Sequence, residues 1–519
     1  MLLVRGDSRC YHSGSQATGW WQTSRSPVRS CENNFATSGD KWQHYDLISI
    51  PERHMRVIMR ALLPVVILCT SVPVGTARAQ DRKPPEWARK AVLYEVNVRQ
   101  YTPEGTLAAF RGHLPRLRAM GVDMLWFMPV QRIGQLNRKG PLGSYYSIAD
   151  YRSINPEFGR PADFRALVAD AHQRGMRVIL DWVPNHTAFD HNWATQHPDW
   201  YLHRADGSIS NAVDESGKET DWTDVAQLDY SQPQLRAAMI GEMRWWLTDM
   251  KIDGFRCDFA AGVPVDFWVA ARRELARTKP DLFMLAEAES PALSMAFDMT
   301  YGWELHHLLN DVVQGKKPTT DLDAYVQRQR RAYRDTDYHM YFTSNHDENS
   351  WNGTEFERMG ANHLAAFVLA ATMRGSFPEI YTGQEVSLSK RLRFFEKDTV
   401  DWKGPSLEGF YHAMFDLRHG EPALWSGTSG ATQQKSLTHD GGPRVYAFTR
   451  MRGADGVLVA VNFGDAPASM KYLGLTTTGA FSDWFSSASL TLTEAGTLDI
   501  PAHGYRVLVH GSPVRRSGR

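Results

Sequence analysis

The chain has 519 residues, with 58 Lys and Arg balancing 58 Asp and Glu, and 42% of its residues are hydrophobic. That length is too great for one small domain and fits a large domain with a smaller one. The composition excludes a disordered or collagen-like chain, and the balanced charge gives no ground for a nucleic-acid or anionic-membrane partner.

In chain order, Met1 to His54 shows no helical or strand periodicity. The first apolar segment runs from Met55 to Gln80. Arg56 and Arg60 give it a positive start, Ala61 to Val74 is apolar but short and interrupted by Pro, and Ala77-Arg78-Ala79 has the small-x-small pattern of a cleavage site. The expectation is a signal peptide over 55–79, cut after Ala79, with 1–54 a non-native or disordered extension. This implies export to a periplasmic or extracellular location and no stable membrane insertion after cleavage. With the nine basic and five acidic residues before Gln80 removed, 49 basic and 53 acidic residues remain. Of the four cysteines only Cys257 lies beyond that point, so the mature chain has no internal disulfide and no Cys-rich metal spacing.

From Ala91 the chain alternates apolar runs with amphipathic ones. The predicted strands are Ala91 to Tyr101, Val122 to Val130, Met176 to Asn185, Ile252 to Ala260, Leu282 to Glu289, Phe297 to Trp303, His339 to Asp347 and Ser376 to Glu385. Between most of them lie helical patterns, such as the one placing Phe164, Leu167, Val168 and Ala171 on one face. Near-continuous apolar strands alternating with helices indicate a parallel sheet covered on both sides, and eight such units predict a closed (β/α)₈ barrel over 80–424. A doubly wound sheet would call for an early Gly-rich phosphate turn, and there is none. The stretch 187–233, polar and aromatic, is expected to be a small excursion domain after the third strand. After Leu424 short alternating segments predict a C-terminal antiparallel β domain over 425–511, followed by a basic tail, 512–519.

A barrel of this kind works at the carboxyl ends of its strands. There the third predicted strand ends in Asp181 and Asn185-His186, the fourth in Arg256-Cys257-Asp258, the fifth carries Glu287, and the seventh ends in Asn345-His346-Asp347. Asp258 and Glu287 are 29 residues apart, about one strand-helix unit, and Glu287 and Asp347 are 60 apart, about two. Any one of these carboxylates could be a helix cap or an Arg partner. Three converging on one mouth, with two His and an Arg, fit glycoside cleavage, in which paired carboxyls flank the scissile bond. The 17 Trp are mostly core material, though such rings also stack on sugar faces.

The segments LDWVPNH (180–186), DGFRCDFA (253–260), MLAEAE (284–289) and FTSNHDE (342–348), in this order and spacing, resemble the four signature regions of the α-amylase family of glycoside hydrolases. The resemblance extends from about Lys90 to Gly511. It implies a retaining double displacement with Asp258 as nucleophile, Glu287 as general acid/base and Asp347 as the carboxylate that grips sugar hydroxyls. It also implies that Arg256 keeps Asp258 ionised, that His186 and His346 bind hydroxyls, and that Tyr146 stacks beneath the sugar. The implied substrates are α-glucans or malto-oligosaccharides. A cyclodextrinase or neopullulanase, an α-glucosidase, a transglycosylase and a non-catalytic sugar-binding relative remain the alternatives.

Two features depart from the family pattern. Asn185 matches a calcium ligand of calcium-dependent members, but Gln227 stands where the family has an Asp. Ala261-Gly262 replaces the Lys-His pair of typical α-amylases. The usual calcium site is therefore expected to be incomplete, with Asp224 and Asp229 the nearest other carboxylates. Cys257 is expected to point away from the nucleophile, into the core.

Overall fold

The computed structural model describes residues 83–511. The expectations for 1–54, 55–79 and 512–519 fall outside the described residues. Eight parallel strands close into a barrel: β1 (Leu93–Val96), β2 (Met124–Phe127), β3 (Arg177–Trp182), β4 (Gly254–Cys257), β5 (Phe283–Ala286), β6 (Met299–Tyr301), β7 (Tyr338–Tyr341) and β8 (Ser376–Tyr381). Closure comes from β1 pairing with both β2 and β8. The alternation of side chains explains why these runs are apolar throughout. Leu93, Trp126, Ile179, Phe283, Leu285, Met340 and Phe377 fill the inside. Tyr94, Leu125, Phe127, Val178, Leu180, Phe255 and Met284 lie in a second core, against the helices.

Each predicted run supplies one strand in the predicted order, and each strand is shorter than its run, the first most of all. Beyond Val96 the amides of Gln100 and Tyr101 turn back to the Asn97 carbonyl, so Val98–Tyr101 is a helical turn. The expected helix on Phe164, Leu167, Val168 and Ala171 spans Pro161–Gln173 and buries those four side chains. Between β5 and β6 the connection shrinks to a single 3₁₀ segment, Pro291–Met295. β4 and β5 approach closely at Gly254, where a Cβ would lie 1.9 Å from the Phe283 carbonyl oxygen. That approach brings the ends of these two strands together.

After β3 the chain leaves the barrel. His186–Ala188 pairs antiparallel with Val225–Gln227, with His186 opposite Gln227, and the helix Pro233–Thr248 then returns the chain to the wall. The C-terminal region forms a six-stranded antiparallel sheet, centred on Val445–Arg452, Asp455–Asn462 and Gly504–His510, and a three-stranded one. Two fully buried arginines fix its seam with the barrel. Arg450 donates to the carbonyls of Thr372, Met373 and Ala431, and Arg418 to those of Ala91 and Leu424 and to the Ser426 hydroxyl. Among the described residues no helix is long and apolar enough to cross a membrane.

Candidate active site

β4 points Arg256 into the barrel mouth, and its neighbour Cys257 outward into the helix-facing core, fully buried. The Arg256 side chain is itself fully buried. Nη1 lies 2.9 Å from Asp181 Oδ1 and 2.7 Å from Asp258 Oδ1, and Nη2 lies 2.7 Å from Glu287 Oε1. Nε donates to the Tyr301 hydroxyl at 3.1 Å. The rings of Trp126, Tyr146 and Tyr301 stand 5.0, 5.8 and 5.6 Å from the guanidinium carbon. A buried cation of this kind is tolerable only because carboxylates surround it.

The carboxyls feel the same burial. Removal from water raises the pKa of Asp258 to about 6, against the pull of Arg256 and with a push from Asp181. Burial raises Glu287 further, to about 8; Arg256 opposes this, and Asp258 and Asp347 reinforce it. The order matters more than either value. Near neutrality the pair holds an ionised Asp258 beside a protonated Glu287, the division of labour that acid and nucleophile require.

Glu287 is further fixed through the backbone. Phe259, directly after Asp258, has φ +41° and ψ 48°, a left-handed conformation unusual for a large side chain. That bend aims its amide at Glu287 Oε2, 2.8 Å away. The Phe259 ring lies against Trp222 of the excursion, with centroids 5.7 Å apart.

The other side of the mouth is a relay. Tyr146 donates to Asp181 Oδ2 at 3.2 Å, and its hydroxyl is 2.6 Å from His346 Nε2. His346 Nδ1 lies 2.6 Å from Glu95 Oε1 on β1, and Nε2 lies 3.4 Å from Asp347. Burial disfavours the charged ring, but Asp347 and Glu95 outweigh it and hold the imidazole up to about 9, so it is cationic at neutral pH. Asp347 is the most exposed of the three predicted carboxylates, with 35% of its side chain open. Trp126 Nε1 donates to Asp181 Oδ2 at 3.1 Å.

Six of the predicted residues, Tyr146, Arg256, Asp258, Glu287, His346 and Asp347, thus form one connected network. His186 sits at its edge. Its ring reaches the Tyr146 carbonyl and the Asn185 amide, and burial lowers its pKa to about 3, so it is neutral. The candidate list omitted Asp181, Glu95, Trp126 and Tyr301. Asp181 was visible at a strand end. Glu95 carried no sequence signal, because its partner His346 is 251 residues away.

The calcium expectation can be tested on the donor set. Asn185 Oδ1 accepts from Gln227 Nε2 at 3.0 Å, and Asn185 Nδ2 donates to Gln227 Oε1 at 3.1 Å. Asp224 faces Lys139 Nζ at 3.6 Å, and Asp229 binds the Ser231 amide and hydroxyl. Ala261 and Gly262 bring no side-chain ligand, and a Cβ at 262 would lie 2.8 Å from Asn185 Oδ1. Among the described residues no three His, Cys, Asp or Glu converge to hold an ion. A hard cation prefers several anionic oxygens. These residues do not fit one.

A parallel eight-stranded barrel with a buried Arg–carboxylate cluster at the carboxyl end of its strands defines a glycoside-hydrolase type of scaffold. The model of the α-amylase catalytic domain matches residues 75–436, and the chain belongs to the α-amylase family. It is 28% identical over 412 residues to the α-amylase MalA of Haloarcula japonica, covering 76% of this chain and 58% of that protein. It is 27% identical over 472 residues to the α-1,4-glucan:maltose-1-phosphate maltosyltransferase of Salinibacter ruber, covering 82% and 69%. The crystal structure of the noncanonic maltogenic α-amylase AmyB from Thermotoga neapolitana superposes with a TM-score of 0.74 at 26% identity, covering 82% of this chain and 99% of that one.

Proposed function

We propose that this protein hydrolyses α-1,4-glucosidic bonds of starch, glycogen or maltodextrins by retaining double displacement. The observation that carries the reading is the single guanidinium of Arg256 touching both Asp258 and Glu287 from adjacent strands. One cation spanning both keeps the carboxyls close together, as a retaining enzyme needs; an inverting enzyme leaves room for a water between them. In the first step Asp258 attacks the anomeric carbon and forms a glycosyl ester while Glu287 gives its proton to the departing oxygen. In the second, Glu287, now a carboxylate, takes a proton from water, which attacks the anomeric carbon, breaks its bond to the Asp258 oxygen and frees the Asp258 carboxylate. Tyr146, His186, His346 and Asp347 line the sugar position. Asp347 accepts from sugar hydroxyls, and the cationic His346, whose two N–H groups are held by Glu95 and Tyr146, supplies positive charge beside it.

The test separates the two carboxyls. Asp258→Asn loses the attacking oxygen, and kcat should fall on the order of 10⁴-fold or more. Glu287→Gln loses the proton donor, and an α-glycosyl fluoride, whose leaving group needs little protonation, restores its first step. Added azide then replaces water and yields an α-configured glycosyl azide. A β-configured azide from Glu287→Gln, or equal rescue of both variants, overturns the assignment.

A transferase reading has specific support in the relative named as a maltosyltransferase, which matches this chain over 472 residues. A product profile on amylose, pullulan, cyclodextrins and maltose, with and without acceptor sugars, separates hydrolysis from transfer and sets the chain length. Export is proposed from the Met55 to Gln80 segment alone. Mass spectrometry of the exported protein should find Gln80 at its start, and peptides from 1–54 would overturn it.

A further inference from the structure

We infer that the side-chain amide of Gln227 does the work of a bound cation, joining the excursion domain to the barrel without metal. Four observations carry this. First, Gln227 Nε2 faces three oxygens at once: Asn185 O at 3.1 Å, Asn185 Oδ1 at 3.0 Å and Leu228 O at 3.1 Å. Three neutral oxygens grouped around one point form a cradle for positive charge, and the polarised NH₂ group fills it. Second, the opposite end of the same amide is also used. Gln227 Oε1 accepts from Asn185 Nδ2 at 3.1 Å and from the Val213 amide at 2.9 Å. The two side chains thus make a reciprocal pair that uses both donors and acceptors inside a buried seam, where Gln227 is 4% and Asn185 1% exposed. Third, the pair is built into the sheet. His186 lies opposite Gln227 in the short ladder, so the amide is placed by backbone register. Fourth, a side-chain cation makes a parallel tie nearby. Lys139 Nζ donates to the Asp221 carbonyl at 2.9 Å and faces Asp224 at 3.6 Å, tying the other edge of the excursion to the loop after β2.

The pair also reaches the candidate active site. Asn185 Nδ2 lies 3.3 Å from His186 Nδ1. A donor there leaves that nitrogen as the acceptor of a neutral ring and commits the remaining N–H to the Tyr146 carbonyl, which fixes the orientation of the ring. Gln227 is therefore a positioning residue for His186, acting through Asn185.

The isosteric change Gln227→Glu tests this. It exchanges the NH₂ for an oxygen among three oxygens, turning a filled cradle into an empty one with negative charge. In EDTA the variant should melt roughly 5 °C below wild type, and millimolar calcium should recover most of that loss. Gln227→Met, which removes the donor without adding charge, should also melt lower but gain nothing from calcium. The wild type should give the same melting temperature in EDTA and in calcium, and no calcium-binding heat by calorimetry. A wild type that loses stability in EDTA and regains it with calcium overturns the inference. So does a Gln227→Glu protein as stable in EDTA as wild type. The wild-type arm stands even if neither variant folds, and melting reads the seam independently of any activity.

Discussion

The molecule buries arginines in two places and treats them in opposite ways. At the barrel mouth Arg256 meets three carboxylates, and although burial opposes its charge, Asp181 and Glu287 hold its pKa well above the ordinary arginine value. At the C-terminal seam Arg418 and Arg450 are equally buried but meet carbonyls and a hydroxyl. There burial dominates and brings them down to about 10 and about 9. Carbonyl dipoles pin a guanidinium without being changed by it. Carboxylates are changed by it: burial lifts Asp258 and Glu287, Arg256 pulls them back, and the balance leaves groups that can gain and lose protons near neutrality. The seam is built to hold shape, and the mouth to hold shape and titrate.

The largest expected effect comes from removing the cation at the mouth. Arg256→Gln leaves Asp181 and Asp258 facing each other unneutralised, which should cost about 3–5 kcal/mol of stability and lower kcat/KM roughly 10²–10³-fold. Because Arg256 holds the Asp258 pKa down, its loss should also move the acid limb of the pH profile to higher pH. A variant with an unmoved acid limb would break the contrast drawn above. Next is the seam. Arg450→Met takes this donor from the Thr372 and Ala431 carbonyls, while Met373 keeps the Ser376 amide, and should cost about 1–3 kcal/mol while leaving kcat/KM at 25 °C unchanged. A drop in kcat/KM matching the loss of stability would show that the two regions are not separate in function.

Smaller effects follow from the raised carboxyls. In wild type, kcat/KM should fall below about pH 6 as Asp258 takes up its proton and above about pH 8 as Glu287 loses its own. The same shift has a cost in stability. Glu287 binds its proton more tightly folded than unfolded, where its pKa is near 4.5, so its contribution is intact below pH 4.5 and declines as pH rises towards 8. Glu287→Gln does not titrate and should melt above wild type at pH 8, with the gap closing below pH 4.5. Equal melting at all pH values would show that Glu287 is not raised. The smallest effect is at Cys257, whose thiol burial pushes well above its usual range. Native protein should resist thiol reagents that modify it fully in guanidinium, and fast native labelling would contradict its place in the outer core.

The barrel was legible because both of its periodicities are written in short segments. β2 and β5 are continuous apolar runs, and the helix on Phe164 and Leu167 repeats at 3.6. The carboxylates were legible for the same reason, each being a polar residue closing an apolar run. What could not be read joins distant parts of the chain. The pairing of Glu95 with His346 depends on β1 closing the barrel near β7 and β8, and no local pattern records it. The early end of β1 escaped because the alternation through Val98 continues past Asn97, while the turn is dictated by backbone bonds to the Asn97 carbonyl. Gln227 was visible as a departure from the family. Its reciprocal amide pair became visible only with the register of the excursion ladder.

Phe259 has a wider meaning than its single hydrogen bond. Its left-handed backbone is uphill by about 1 kcal/mol for any residue with a Cβ, and a glycine would sit there at ease. Yet the ring that makes the conformation awkward is also what reaches Trp222. One residue thus touches the excursion through its side chain and Glu287 through its amide. Movement of the excursion over a bound chain would be felt at Glu287 as a change in how firmly its oxygen is held. In an engineered version, position 259 is therefore a tuning screw: relaxing it would loosen the link between Trp222 and Glu287 while leaving both carboxyls in place.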